Sequence, residues 1–373
     1  MKFLIISHVG HKQKGSQWFA YAPYVREMNM WLNHVSEVEI VAPKITDTIS
    51  PIDIAYKGNK IKLTQVPSIA FVNPKKAIMS LFNLPIILFN LINACRRADH
   101  IHLRCPGNIG LLGCIIQIFF PKKIKTAKYA GNWDPKAKQP LSYNFQKWLL
   151  SNTLLTRNMQ VLVYGEWEKQ TKNIKPFFTA TYKQSEIVSI ENRDYSTVLN
   201  FVFIGSLVEG KRPLLTVKII QRLIDEGIIV NLDMYGDGVL KNDLEQYILS
   251  NNLSKFVKLH GNQSKEVIQD AIKKAHFSIL PSKSEGWPKA IAEAMFFGAI
   301  PIVTKISCVP YMLNNGQRGL LIEPNLEKAV IEIVNALENN EELKNKSQAA
   351  KDWSQLYTLD LFENEIAKLI KNN

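Results

Sequence analysis

Two acids eight positions apart carry the first chemical signal. They bracket the segment Glu285-Gly286-Trp287-Pro288-Lys289-Ala290-Ile291-Ala292-Glu293. The apolar run Phe277–Leu280 stands just before it and reads as a strand. Pro288 suits a first helical position, and Gly298 is a fitting stop. Glu285 then lies in the loop at the strand's carboxyl end, and Glu293 lies in the second helical turn. Open α/β sheets bind ligands at that edge. A helix N-terminus offers free N–H groups and a partial positive charge, which suit a phosphate. An acid just ahead of that terminus can accept hydrogen bonds from sugar hydroxyls. An acid a turn and a half in can grip a ribose in the same crevice. Plainer readings exist for each part. Glu285 could be a solvated loop acid, Glu293 could pair with Lys289 four residues back, and Trp287 could cap the core. The E-x7-E spacing, the Gly-aromatic-Pro step and the strand–loop–helix context together outweigh them.

These residues need a scaffold, and the chain supplies a regular one. Short apolar runs alternate with helix-length segments. In the first half the strands are Phe3–Ile6, Val38–Val41, Ile61–Val66, Ile101–Leu103, Thr126–Ala130 and Gln160–Tyr164. Helical stretches fall at Ala20–Asn33 and near 76–95, 108–119 and 142–155. The rhythm restarts after residue 195, with strands Asn200–Ile204, Val230–Tyr235, Val257–Leu259, Phe277–Leu280 and Pro301–Val303. Helices are expected from Pro213, near 239–250, 265–275 and 288–297, and in the tail at 326–338 and 351–371. This order describes βαβ units and two mainly parallel sheets. The boundary is expected near the polar stretch Glu191–Thr197. The expected division is 1–194, 195–350 and a C-terminal helix, 351–373, packing back on the first domain.

Length and composition agree with two soluble α/β domains. The chain has 373 residues, 46% hydrophobic and 21% charged, which excludes wholesale disorder, a collagen-like chain and a multi-span membrane protein. Its net charge is +13. Residues 1–195 hold 26 Lys/Arg and 12 Asp/Glu, a charge of +14, while residues 196–373 carry −1. That asymmetry points the first domain at an anionic partner. Cys95, Cys105, Cys114 and Cys308 form no C-x-x-C pair, so neither a disulfide framework nor a zinc site is expected, and a reducing cytoplasm is the natural compartment. The four apolar residues Phe3–Ile6 are too few for a signal-peptide core and read as a buried strand. Ala77–Cys95 is an uncharged run flanked by Lys75, Lys76, Arg96 and Arg97. It contains Ser80, Asn83, Pro85, Asn90 and Asn93, so it reads as a helix packed on the first domain and partly touching a bilayer surface, rather than as a span.

Residues 199–325 resemble the C-terminal, donor-binding domain of GT-B glycosyltransferases of family GT4, of a bacterial type. Glu285 and Glu293 match the family's E-x7-E pattern. Phe203-Ile204-Gly205-Ser206-Leu207-Val208-Glu209-Gly210-Lys211 resembles its opening strand, Gly and following Lys. Tyr235-Gly236-Asp237-Gly238 resembles its Gly-acid-Gly turn, Val257–Gly261 the strand before its nucleobase pocket, and Phe297–Val303 its G-x-P-V-V stretch. The resemblance implies a GT-B fold, with two Rossmann-like α/β/α domains facing each other across a cleft. It implies that Lys211 contacts the donor diphosphate and the leaving-group charge, that Glu285 holds the transferred sugar, and that Glu293 binds the ribose. Gly205, Ser206, Gly236, Gly238, Gly286, Trp287, Pro288 and Lys289 complete the implied donor site. Many members have Arg where Ser206 stands. Arg212 is the candidate to compensate, since losing one such donor costs roughly 3 kcal/mol of barrier.

The first half resembles the family less closely. His8–Ser16 would be the loop after the first strand, with Gly10 and Gly15 permitting close backbone approach. The adjacent glycines common in the family are absent. So is the His often found near the reacting carbon, where this chain has Lys128-Tyr129-Ala130-Gly131-Asn132-Trp133-Asp134. Asn132, Asp134 and Arg104 are the acceptor-side candidates, Arg104 as a partner for an acceptor phosphate. The implied activity is retaining transfer of a hexose from a UDP- or GDP-linked sugar to a hydroxyl of a glycan or a lipid-diphosphate-linked acceptor. The implied setting is lipopolysaccharide or capsule synthesis at the cytoplasmic face of an anionic membrane. No D-x-D triplet occurs, so neither a metal nor another cofactor is expected. A nucleotide-sugar epimerase and a non-catalytic GT-B partner subunit are the alternatives. A nucleic-acid binder would rest on net charge alone.

Overall fold

The computed structural model describes residues 1–50, 52–58, 60–69, 74–189 and 193–371. The chain forms two compact units. One comprises Met1–Phe177 with the residues from Glu363 onward, and the other Phe178–Phe362.

The first unit is built on a seven-stranded sheet. Across the sheet the strands run Ile174–Phe177, Met159–Tyr164, Ile124–Tyr129, His100–Cys105, Lys2–Ile6, Glu37–Ala42 and Ile61–Gln65. Every pairing is parallel. Leu4, Ile5 and Ile6 are fully buried, as a central strand covered on both faces requires. Strand order reverses between Lys2–Ile6 and His100–Cys105. Helices Pro74–Arg97, Asn108–Ile116 and Leu141–Ser151 share one buried cluster with these strands.

The expected loop at His8–Ser16 contains a short strand. Lys12–Lys14, Gln17–Tyr21 and Asp53–Ala55 form a small antiparallel sheet. Lys-Gln-Lys shows no apolar alternation, so the strand was invisible to pattern. A buried ion pair holds it, with Lys12 Nζ 2.8 Å from Asp53 Oδ2. Gly15, at φ +59°, occupies the hairpin turn. Its left-handed backbone serves that turn.

The second unit carries a six-stranded parallel sheet, in the order Val257–Gly261, Val230–Tyr235, Leu199–Ile204, Phe277–Leu280, Ile300–Thr304 and Leu320–Ile322. By chain order this is 3-2-1-4-5-6, a doubly wound arrangement. Its reversal lies between Leu199–Ile204 and Phe277–Leu280. The loops leaving those two strands therefore splay apart and open a crevice at their carboxyl ends.

The division between units differs from the expected one. Glu191, where the expected boundary stretch begins, lies outside the described residues. Residues from Phe178 already group with the second unit. Aromatic packing accounts for this, because the Tyr182 ring sits 5.0 Å from Phe296 and 4.9 Å from Phe297. The tail also divides differently. Helix Asn340–Gln355 belongs to the second unit, and helix Leu359–Lys371 straddles the division. Phe362 packs on Phe178 in the second unit, whereas Glu363 accepts a 2.8 Å hydrogen bond from Asn33 in the first.

Buried histidines give the first unit a pH signature. His11 and His100 are both pushed down to about 4 by burial. His102, buried beside His100, is held well below its usual value by burial and then by nearby His100 and Arg104. The folded state keeps these rings neutral, while the unfolded chain protonates near the ordinary value. Stability is therefore full above pH ~6.5 and is lost as pH falls toward ~4, by up to about 1.4 kcal/mol per pH unit for each histidine. Denaturant midpoints measured at pH 7 and pH 5 should show this loss. His100→Gln, which keeps a polar partner for Thr126, should shrink it. A midpoint independent of pH over that range would contradict the assignment.

Candidate active site

Lys211 and Glu285 meet at the reversal point of the second sheet. Lys211 stands in the loop after Leu199–Ile204, and Glu285 in the loop after Phe277–Leu280. Their charged ends lie 2.5 Å apart, Nζ to Oε1. The Lys211 side chain is 28% exposed and that of Glu285 10%. A cation and an acid thus sit paired in a half-covered crevice, open to a ligand carrying both phosphate and hydroxyl groups.

Several contacts fix the two loops relative to each other. Lys283 N–H donates to the Gly210 carbonyl at 2.7 Å. Lys283 Nζ pairs with Glu209 at 2.7 Å. Arg212 adopts a left-handed backbone, φ 50° and ψ 51°, just before Pro213 opens the helix Pro213–Asp225. A bulky residue in that region is uncommon and strained. The conformation turns its guanidinium onto the carbonyls of Pro281 and Ser282, each 3.0 Å from Nη1. Arg212 therefore braces the Glu285 loop from beneath. Sequence reasoning gave it the place of a second diphosphate cation. Ser206 lies exposed in the first loop.

The glycines of this edge have distinct tasks. A Cβ on Gly236 would stand 2.0 Å from the Gly205 carbonyl oxygen, and one on Gly238 would stand 2.4 Å from that of Leu207. The loops after the first two strands of this sheet thus stack backbone on backbone. Leu207 N–H to Asp237 O, at 3.0 Å, and Leu240 N–H to Leu207 O, at 3.0 Å, stitch them together. Gly205 itself faces only ordinary side-chain contacts at 3.7 Å and beyond.

The motif helix runs Lys289–Phe296, with Pro288 as its N-cap rather than its first residue. Pro288 still organises the start, since its carbonyl accepts from Ile291 and Ala292. Gly298 ends the helix at φ +74°. Glu293 accepts a 2.7 Å hydrogen bond from Thr181 Oγ1. A small cavity there is lined by Thr181, Tyr182, Trp287, Lys289, Glu293 and Trp353, among others. Trp287 and Trp353 stack at 6.0 Å. The backbone of the motif is clamped at several points. Cys308 Sγ donates to the Gly286 carbonyl at 2.9 Å. Ser354 holds the Ala292 carbonyl at 2.7 Å, and Gln355 that of Phe296 at 3.0 Å. Sequence reasoning missed Thr181, Cys308, Ser354 and Gln355, which come from three separated stretches with no shared spacing.

The acceptor-side candidates belong to the first unit. Arg104 is half-buried, its side chain 13% exposed, and donates to Glu27 Oε1 at 2.7 Å. Burial opposes its charge, and the facing Glu27 carboxylate more than restores it, so its pKa rises. An internal ion pair occupies the side chain proposed for an acceptor phosphate. Asn132 Oδ1 accepts from Asp134 N–H at 2.9 Å, and Asp134 Oδ1 accepts from Lys136 N–H at 2.8 Å. These two shape the loop after strand Ile124–Tyr129. Gly15 lies in the hairpin turn between Lys12–Lys14 and Gln17–Tyr21.

Residues 187–353 match the family model described as Glycosyl transferases group 1. An uncharacterised glycosyltransferase of Methanocaldococcus jannaschii is 30% identical over 160 residues, 42% of this chain and 43% of that one. The UDP-Gal:alpha-D-GlcNAc-diphosphoundecaprenol alpha-1,3-galactosyltransferase of Escherichia coli is 34% identical over 128 residues, 34% of this chain and 33% of that one. The chain thus matches less than half the length of either relative. Sucrose-phosphate synthase from Thermosynechococcus elongatus shares the fold at 14% identity, with a TM-score of 0.68 over 100% of this chain and 98% of that one. That likeness covers both units, and the fold is GT-B.

Loop stacking makes one glycine far more sensitive than its neighbour. Gly236→Ala should lower the unfolding free energy by at least about 2 kcal/mol, through the backbone clash and its φ of +138°. Gly205→Ala should stay within about 1 kcal/mol of the parent. Chemical denaturation of both variants checks this, and equal effects would contradict it.

Proposed function

We propose, from the match of residues 187–353 to the family model described as Glycosyl transferases group 1, that this protein is a retaining glycosyltransferase using a nucleotide-sugar donor. The observation that carries the reading is the Lys211–Glu285 pair at the reversal point of the second sheet. Lys211 meets the diphosphate charge that grows as the glycosidic bond breaks. Glu285 accepts hydrogen bonds from hydroxyls of the transferred sugar. The donor takes over both partners, so a charge pair that is satisfied in the free protein becomes two ligand contacts. Glu293, hydrogen-bonded by Thr181, binds the ribose. The amides at the start of the helix Lys289–Phe296 supply further positive potential. A preorganised cation of this kind stabilises the departing diphosphate without a metal ion. The departing phosphate, on the same face as the incoming hydroxyl, takes its proton. That geometry retains the configuration of the anomeric carbon.

The Escherichia coli relative is named for a UDP-sugar donor and an acceptor linked to a lipid diphosphate. We carry both classes to this chain. The basic balance of the first unit supports the acceptor class, since residues 54–165 hold sixteen Lys/Arg and two Asp/Glu. The setting is polysaccharide synthesis on the cytoplasmic face of an anionic membrane.

Transfer from a panel of UDP- and GDP-sugars to a lipid-diphosphate acceptor tests this. Glu285→Gln and Lys211→Met should each lower kcat/KM by roughly 10²–10³-fold. Donor incubated alone should return no altered sugar. Unchanged rates in both variants would refute the assignment, and an epimerised donor would replace it with isomerase chemistry.

A further inference from the structure

Among the described residues one helix is long and apolar enough to cross a membrane by length and composition, Ile78–Arg97. A core helix of this composition would be buried on most sides. Here Ile87, Leu91 and Ala94 are buried in the cluster against the first sheet, while Ile78, Met79, Leu81, Phe82, Ile86 and Phe89 are all more than half exposed. Phe82 is 81% exposed. Positions 78, 82, 86 and 89 fall on one helical stripe, opposite 87, 91 and 94. The helix therefore commits one face to the core and leaves an apolar face in water. Contiguous exposed apolar surface of this kind marks an interaction site.

Charge selects the occupant. The helix Pro74–Arg97 contains Lys75, Lys76, Arg96 and Arg97 and no acid. Helix Leu141–Ser151, packed on the same buried cluster, also lacks acids and follows Lys136 and Lys138. It adds Leu141, 88% exposed, and the exposed Phe145 and Trp148, whose rings stack at 5.7 Å. Exposed aromatic and aliphatic side chains among Lys and Arg, with no acids on either helix, complement an anionic bilayer. Lipid headgroups supply the negative charge, and the acyl boundary receives the apolar side chains. Because Ile87, Leu91 and Ala94 are held in the core, the helix lies on the bilayer rather than crossing it.

We propose that the face bearing Phe82, Ile86 and Phe89 docks the first unit on an anionic bilayer, with these side chains in the headgroup–acyl boundary. The proposal deepens the lipid-linked acceptor reading and rests on it for its purpose, though not for its geometry.

The test uses the full chain with phosphatidylcholine vesicles, with and without phosphatidylglycerol. Sedimentation should show binding that strengthens with the anionic lipid. Phe82→Glu/Phe89→Glu should lower the partition coefficient at least tenfold and leave the thermal midpoint unchanged. Brominated lipids should quench the added fluorescence of a Phe82→Trp variant. Transfer to a water-soluble acceptor analogue should be the same in the parent and the double variant. Absence of that transfer in the parent would sink the transferase reading and leave the docking result standing. Equal partitioning of parent and double variant, or no bromolipid quenching at position 82, overturns the docking proposal. So does a parent that dimerises through this face and ignores vesicles, which would make a second copy of the chain the occupant.

Discussion

The second unit turns on one partly covered ion pair. Lys211 and Glu285 come from loops that a doubly wound sheet forces apart, and their charges hold those loops across the opening. Placing a cation and an acid there without ligand leaves each to neutralise the other. The pair is thus both a brace for the free protein and a set of contacts ready for exchange. Its geometry depends on a chain of less conspicuous groups. Arg212 supports the Glu285 loop through two carbonyls, and Gly236 and Gly238 let neighbouring loops stack by backbone. Cys308, Ser354 and Gln355 fix carbonyls of the motif segment. None of these groups need touch a ligand to matter, because each sets where the paired charges stand.

The two units divide their labour by charge. The second is close to neutral, and its polarity is concentrated in paired, oriented groups. The first carries the positive excess, most of it within residues 54–165. Two of its inward-facing cations are committed to acids of the same unit. Arg104 with Glu27, and Lys12 with Asp53, are internal ion pairs. The surface and the apolar face of helix Pro74–Arg97 are what remain for a partner. Under the proposed function, this division separates the precise binding of a small donor from the broad, surface-level recruitment of a larger acceptor.

The parallel sheets were legible because their strands are continuous apolar runs of ordinary length, separated by helix-length segments. The motif segment was legible because spacing, a proline and a glycine agreed with its strand–loop–helix context. What escaped was structure set by tertiary contact. The strand Lys12–Lys14 has no apolar pattern and exists through pairing and one buried charge. The strand Ile174–Phe177 contains Pro176 and sits at a sheet edge, where a proline is tolerated. Arg104 reads as an available cation in sequence, and only the fold shows Glu27, seventy-seven residues away, in front of it. Arg212 reads as a spare phosphate ligand, and only its left-handed backbone shows it turned onto the neighbouring loop. The division between units was likewise set by aromatic packing that no linker composition announces.

The most direct measurement is a crystal structure with an intact nucleotide sugar bound. Lys211 Nζ should leave Glu285 and stand within hydrogen-bonding distance of the diphosphate, with the Glu285 carboxylate on hydroxyls of the sugar. A donor bound elsewhere, with Lys211 and Glu285 still joined, would contradict the account.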